Sequence, residues 1–410
     1  MNRVTKYITL SLILSVSVQC FSFGQGSSYG GAYKNSAPIL YYNGYNNKTI
    51  EGLEIYNSAS GRCIRLENCS NVTIQNCKFA TSQDVAIYLY KCMNITITNC
   101  TFENIASGLL AEYSTGVKFI SNDVRNCMGP TPGRGQMVHL VGCYGGGNQI
   151  NYNSCDNISG QSSPEDIINI SNSDGINGDP IQIKGNWLRG GGPSTTGGGI
   201  MTGDSGGSWQ FVQDNICVNT GNYGIGNAGG HDITIRNNKI FSVKSEISNI
   251  GLYIWNQQSG ITSYNMIVEN NEVLWNSKNG VINNFWDAGN SGIIEGWSTN
   301  ISNAQLNSAI LPTKIIGRNQ QDTISTSTSV FKLNIHPNPV YSRSIIITSP
   351  IPNNNILIIS NEKGIKLIEK SIDSSKTEID TSILANGVYD LKILNNEKII
   401  EERKIKIVKN

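Results

Sequence analysis

The side chains able to move protons gather in the middle of the chain. His139 follows Val138, Glu165 and Asp166 open EDIIN, Asp204 ends GGGIMTGD, and Tyr223 and His231 bracket YGIGNAGG. Arg134 and Arg189 lie in Gly/Pro-rich stretches nearby, and Tyr253 and Trp255 come next in GLYIWN. The chain has 3 histidines, so this set holds most of them. An imidazole can take a proton, a phenol or carboxylic acid can return one, and an arginine or bound cation can neutralise an anion. Flat rings such as Tyr253 and Trp255 offer stacking faces. Singly, each has a plainer duty: Glu165 and Asp166 as loop caps, Asp204 as a turn former. Their coincidence defines a candidate site.

What positions them is a repeat. NVTIQNCKF (Asn71 to Phe79) returns as NITITNCTF (Asn94 to Phe102), 23 residues later. Apolar residues alternate within each copy, which reads as a short strand with one buried face, then a bend. The series continues with asparagine in place of the cysteine at Asn122, Asn153, Asn186, Asn215, Asn238 and Asn271. Two residues later comes an apolar side chain: Phe79, Phe102, Val124, Cys155, Leu188, Cys217, Ile240 and Val273. One such coil cannot bury its apolar face, but a stack can. An inward asparagine at each bend can satisfy backbone groups that the bend buries. A second strand per coil is expected, with Ile87, Leu109, Val138, Ile168, Ile200, Ile225, Leu252 and Val281 pointing inward.

The link from ladder position to second strand lengthens in three successive coils, by MGPTPGRGQ, SGQSSPED and RGGGPSTTGGG. Insertions at one bend of adjacent coils should wall one edge of the second-strand face, where the ionisable residues also fall. A rival stripe on the ladder strand carries Lys184 and Arg236, two coils apart, but no long loops flank it.

These repeats resemble the right-handed parallel β-helix of pectin-lyase-like proteins, and the resemblance runs from about Pro38 to Asn300. It implies an elongated scaffold and leaves the activity open. Some polysaccharide lyases of this fold use lysine and arginine as base and acid. The expected activity is β-elimination on uronate-containing polysaccharide. His139 or His231 would serve as base, with Tyr223 and Arg189 as further catalytic groups. Arg134, Tyr253 and Trp255 would bind substrate, and Ca²⁺ held by Glu165, Asp166 and Asp204 could neutralise the uronate. C5-epimerisation shares the proton abstraction. Hydrolysis by a carboxylate pair is a further alternative, although only Glu165-Asp166 approaches the clustered acidic motif of polygalacturonase-like enzymes. A non-catalytic polysaccharide-binding adhesin is the third.

Around this core, residues 1–24 read as a secretory signal, with Arg3 and Lys6 before the apolar run ITLSLILSVSV. That run is shorter than the ~20 residues a spanning helix needs, and no later segment could span a membrane. Cys20 is not preceded by a small residue, against a lipoprotein. Removing Cys20 leaves an odd number of cysteines; without a CxxC pair they read as buried thiols, not as zinc ligands. The net charge of +1 gives no reason to expect nucleic acid as a partner. Residues 25–316 are assigned to the β-helix and the Ser/Thr-rich stretch 317–330 to a linker. After it come seven short strand-like runs, which predict a small Ig-like β-sandwich and make the chain all-β.

HPNPV at His336, NEKG at Asn361, LANGVYDLKI at Leu384 and the basic end KIKIVKN resemble the type A C-terminal sorting domain of the Bacteroidota type IX secretion system, over residues 331–410. The resemblance implies Sec export, passage through the type IX machinery, and release or attachment at the outer-membrane surface. Deleting 331–410 should therefore leave folded β-helix in the periplasm; unchanged export of the truncated chain, read by immunoblot of the medium and cell surface, would refute the sorting assignment.

Overall fold

In the computed structural model the described residues are 40–56, 61–129, 135–260 and 262–317 of one body, and 334–336, 340, 344–348, 355–361, 364–372, 376–395 and 398–409 of a second. The two bodies divide between Ile324 and Ser325. The signal segment, the linker from residue 318, Arg134 and Pro337 to Pro339 of HPNPV lie outside the described residues.

The first body is a right-handed parallel β-helix with three faces. One face, the site face, stacks Ile64–Glu67, Val85–Tyr90, Ser107–Glu112, Val138–Val141, Ile168–Asp174, the start of Ile200–Gln213, Tyr223–Asn227, Ile250–Ile254 and Phe285–Asp287, all parallel. The ladder face carries the strands between, such as Ser70–Gln75, Met93–Thr98, the end of Ile200–Gln213 and His231–Arg236. The third face is a separate 10-stranded sheet that includes Lys78–Ala80, Thr101–Ile105, Trp187–Arg189 and Lys239–Ser242. The sequence pattern predicts two strands per coil. The run after each ladder position is a third strand, because the bend at Cys77, Cys100 or Asn122 turns the chain away from the ladder face.

In-register stacking puts like residues over one another. Phe79 stacks on Phe102 inside, with centroids 4.8 Å apart, and Phe119 of the ladder face meets Phe102 at a tilt. The inward column of the site face runs Ile64, Ile87, Leu109, Val138, Ile168, Ile200, Ile225, Leu252, then Phe285. Val281, expected to close that column, is 63% exposed. The segment around it forms a local loop, bridged from Asn276 to Ile282, and the strand resumes four residues later.

The six expected ladder asparagines are fully buried, with no measurable exposure. Each amide donates to a strand carbonyl and to the next asparagine, as Asn186 does to Ile150 O and Asn215 Oδ1, both 2.8 Å. Each Oδ1 takes the backbone N–H of the ladder residue below, as Asn186 does from Asn153 and Asn122 does from Cys100, both at 3.0 Å. Asn300 extends the series by one coil. In the first coils Cys77 and Cys100 occupy the same place and give their thiols to carbonyls. The nine cysteines after Cys20 are buried and unbridged. Burial pushes the thiols of Cys143 and Cys217 up to about 12, so they stay protonated and inert.

Beyond the last coil, residues 303–317 run back over the third face. Leu306, Leu311, Ile315 and Ile316 cover Val218 and Phe241, and Gly317 N–H reaches Asp123. The second body pairs Asn334–His336, Ser344–Thr348 and Lys376–Asp380 in one antiparallel sheet, and Lys366–Ile372, Asn355–Ser360, Gly387–Asn395 and Lys398–Ile407 in the other. Leu357, Ile359, Leu391 and Ile405 fill its core.

Asn186→Leu strips the partners from Ile150 O and Asn153 N–H, both buried. Each orphaned group costs roughly 1–3 kcal/mol, so the variant should melt well below wild type, whereas Lys184→Ala, at the end of the strand just before this bend, should not. Equal melting temperatures for Asn186→Leu and wild type would contradict a structural role for the ladder.

Candidate active site

The site face presents an outward stripe that reads Tyr88, Leu110, His139, Asn169, Met201, Gly226, Tyr253 and Trp286 in register. Over its upper half lies a cleft of about 730 Å³ lined by Glu165, Asp166, Asp204, Tyr223, Tyr253 and Trp255 among others. The loop insertions wall it, since Thr195 and Thr196 line the cleft and Thr196 Oγ1 donates to Glu165 at 2.6 Å.

Asp166 is the centre. It is 6% exposed, and three donors hold it: the Tyr223 hydroxyl, Gly198 N–H at 3.0 Å and Asn169 Nδ2 at 2.8 Å. Tyr223 can reach it because the facing residue is glycine; a Cβ on Gly198 would stand 2.6 Å from the Tyr223 ring. Gly226 makes the same room for Tyr253, whose ring meets Tyr223 edge-on at 5.2 Å. Asn169 Nδ2 also donates to Asp204 Oδ2 at 3.1 Å. Both acceptors sit on one nitrogen, so these carboxylate oxygens are less than about 6 Å apart, near the spacing of paired catalytic carboxyls. A register shift between Asn169 and Ser171, opposite Met201 and Asp204, aims Asp204 outward; bulges re-aim side chains in this way.

Burial drives the electrostatics. It pushes the Asp166 carboxyl up to about 6, against the three hydrogen bonds that favour the anion and with help from the neighbouring Glu165. The Tyr223 phenol is raised well above its ordinary value by burial and by Asp166. Tyr223 therefore donates and does not ionise. At one end Trp255 and Trp286 are 42% and 46% exposed with rings 5.7 Å apart.

The other expected site residues disperse. His139 is half-buried one coil below Asn169 and lines a small hollow of about 130 Å³ with Gln136 and Glu112, outside the cleft lining. His231 is not on the site face. The chain has turned the corner by Gly230, so His231 opens a ladder strand, in register with Ser208 and Tyr264. It stacks on Tyr264 at 4.5 Å and sits 2.6 Å from Asp232. Arg189 belongs to the third face, where its fork grips Asp156 at 2.9 and 2.8 Å and the carbonyls of Pro312 and Thr313. Lys184 and Arg236 are on the ladder face, with Gln213 between them. Glu165, Asp166 and Asp204 do not fit a calcium cage: donors occupy Asp166, and no three acidic, His or Cys groups among the described residues converge on one point. Asn169 carries no mark in the sequence pattern that sets it apart. Trp286 is hidden when Val281 is placed where Phe285 belongs; the alternation in FWD is the signal that shows it. A larger groove, about 1150 Å³, lies between the Asp156–Arg189 pair and Val243 to Ile247. Its Asp156 and Arg189 charges are closed on one another, so the smaller cleft is the better site.

A carboxyl whose folded value exceeds the unfolded one stabilises the fold most when protonated. Its contribution is full below about 4 and lost as pH rises through about 6. Asp166→Asn should therefore raise stability at pH 8, by something on the order of 2–3 kcal/mol at most, and change it little at pH 4. Urea titrations at both pH values read this; equal effects at both would mean Asp166 is not a strained anion.

Two family models match the chain: one described as periplasmic copper-binding protein (NosD) over residues 29–128, and one described as secretion system C-terminal sorting domain over residues 334–409. No curated protein matches. Among solved structures, the catalytic domain of a GH87 α-1,3-glucanase in complex with nigerose is 14% identical at a TM-score of 0.34, over 66% of this chain and 57% of that one. The enzymatically active domain of bacteriophage CBA120 tailspike protein 2 is 11% identical at a TM-score of 0.38, over 91% and 72%. The chain thus spans little more than half of the glucanase domain, and neither likeness assigns an activity. The stacked parallel strands and the tail together identify a right-handed parallel β-helix protein that carries a type IX sorting domain and is thereby sent to the cell surface or the medium.

Proposed function

We propose that this protein is an exported glycoside hydrolase acting on a neutral polysaccharide. The observation that carries this is Asp166: a buried carboxyl raised to about 6, linked through one amide to a second carboxylate less than about 6 Å away. Asp166 would be the general acid, protonating the glycosidic oxygen. Tyr223 and Asn169 fix its orientation, and burial keeps it protonated in mildly acidic water. Asp204, half-buried and reached by the same amide, would stand on the other side of the bond as nucleophile or base. The short spacing favours direct attack and retention of configuration. Tyr253, Trp255 and Trp286 would stack on sugar rings at one end.

β-Elimination, expected from the sequence, needs a cation beside the uronate and a base for the C5 proton. The cleft lining among the described residues has three carboxylic acids and neither Lys nor Arg. A uronate there would meet like charge, which is why a neutral chain is the better substrate.

On a panel of neutral polysaccharides the full chain should release reducing ends. Asp166→Asn and Asp204→Asn should each cut kcat by roughly 10²-fold or more, and the alkaline limb of kcat should fall near pH 6. Unsaturated products absorbing in the ultraviolet would instead mark a lyase, and binding without turnover an adhesin.

A further inference from the structure

One corner residue of the ladder face stands out. In most coils the second residue of the ladder strand is left-handed: Asn47, Asn71, Asn94, Gly116, Asp232 and Asn265 all have φ between 52° and 63°. These are residue types that tolerate this region. Asn71, Asn94 and Asn265 bond the residue below at 3.0–3.1 Å. The coil between Pro180 and Asp232 in this column puts Trp209 there, at φ 51°. A bulky residue in this region costs about 1–2 kcal/mol, and it forfeits the amide stack. Tyr113 and Tyr152 are also left-handed at other corners, but each leans on a glycine one coil on. A Cβ on Gly142 would stand 2.9 Å from the Tyr113 ring, and one on Gly185 2.8 Å from Tyr152. Trp209 has Asp232 in that place. Its surroundings form an open groove of about 350 Å³, with Phe211, Thr234, Asn265, Ile267 and Glu295.

We propose that this groove is a second carbohydrate-binding site, separate from the cleft, for a neutral glycan chain. Strain kept at a position where asparagine would fit marks a residue retained for what it touches. Trp209 and Phe211 supply two aromatic surfaces for sugar rings. Thr234, Asn265 and Glu295 stand beside them as partners for hydroxyl groups. Arg236 lies over Phe211 at 4.7 Å and pairs with Gln213 and Glu269, and it is not among the residues that line the groove. The carboxylates of Asp232 and Glu295 disfavour an anionic chain, as Asp166, Glu165 and Asp204 do in the cleft. The groove is on the ladder face, so it would hold a polymer without blocking the site face. It does not depend on the cleft being catalytic.

The test uses the full chain with Asp166→Asn, so that a polymer is not consumed, in sedimentation binding to insoluble cellulose, α-1,3-glucan, β-1,3-glucan, xylan and mannan. Adding Trp209→Asn, or separately Phe211→Ala, should raise the apparent Kd for the best-bound polymer at least tenfold. Trp209→Asn should melt at or above the parent temperature, because strain is relieved. In the background with intact Asp166, turnover of short soluble oligosaccharides should be unchanged by either substitution, which separates this groove from the cleft. Polymer affinity unaffected by both substitutions would overturn the proposal, as would binding of none of the five polymers. A Trp209-dependent dimer in light scattering would assign the groove to a second copy and overturn it equally.

Discussion

The fold hangs on one repeated interaction, the buried asparagine that donates upward to the next asparagine and across to a strand carbonyl. A parallel β-helix turns its backbone through a corner in every coil, and each corner leaves polar groups with no water to meet them. From Asn122 to Asn300 one side chain per coil answers both the amide and the carbonyl at that corner. The apolar columns contribute more burial and resist a one-residue slip, which would turn them outward. The asparagines add to this, since a coil out of register strands several polar groups at once. They fix which residues of neighbouring coils share a stripe.

That register is what makes a cleft from scattered sequence. Asp166 and Tyr223 are 57 residues apart, yet they belong to coils separated by only one other, and the glycine in the coil between opens the path. Asn169 and Asp204 meet by the same logic, with a bulge supplying the aim. Burial then sets the chemistry. A carboxyl this enclosed resists ionisation more than its hydrogen bonds can offset, and so it is held as an acid at a pH where an exposed aspartate would be charged. The cleft is acidic and aromatic, and the proposed neutral glycan substrate rests on those two properties.

Much of the scaffold is legible in the sequence because stacking repeats its requirements. Asn153 and Asn186 declare themselves by period, and Phe102 and Val124 by their place two residues beyond a ladder position. The sorting domain is readable from local motifs in fixed order. Where the chain turns a corner is not readable. His231 comes a few residues after a strand of the site face, but Gly229 and Gly230 carry it onto the ladder face. Arg189 falls in an inserted loop by sequence and is claimed by Asp156 and the returning segment at Pro312. Val281 displaces Phe285 in the sequence reading because a loop of variable length hides the period, and the tryptophan beside Phe285 is lost with it. The carboxylates are visible in the sequence, but their roles are not: a calcium ligand and a buried acid look alike until burial is known.

The acid chemistry of the cleft turns on whether Asp166 keeps its proton in mildly acidic water, where an exposed aspartate has lost it. Selective ¹³C labelling of the aspartate carboxyl carbons in the full chain, with Asp166→Asn to assign the signal, would follow that one group through pH. A midpoint of about 6 is the result expected from its burial. A midpoint in the ordinary aspartate range, about 4, would mean that Asp166 is an anion at working pH and cannot be the acid.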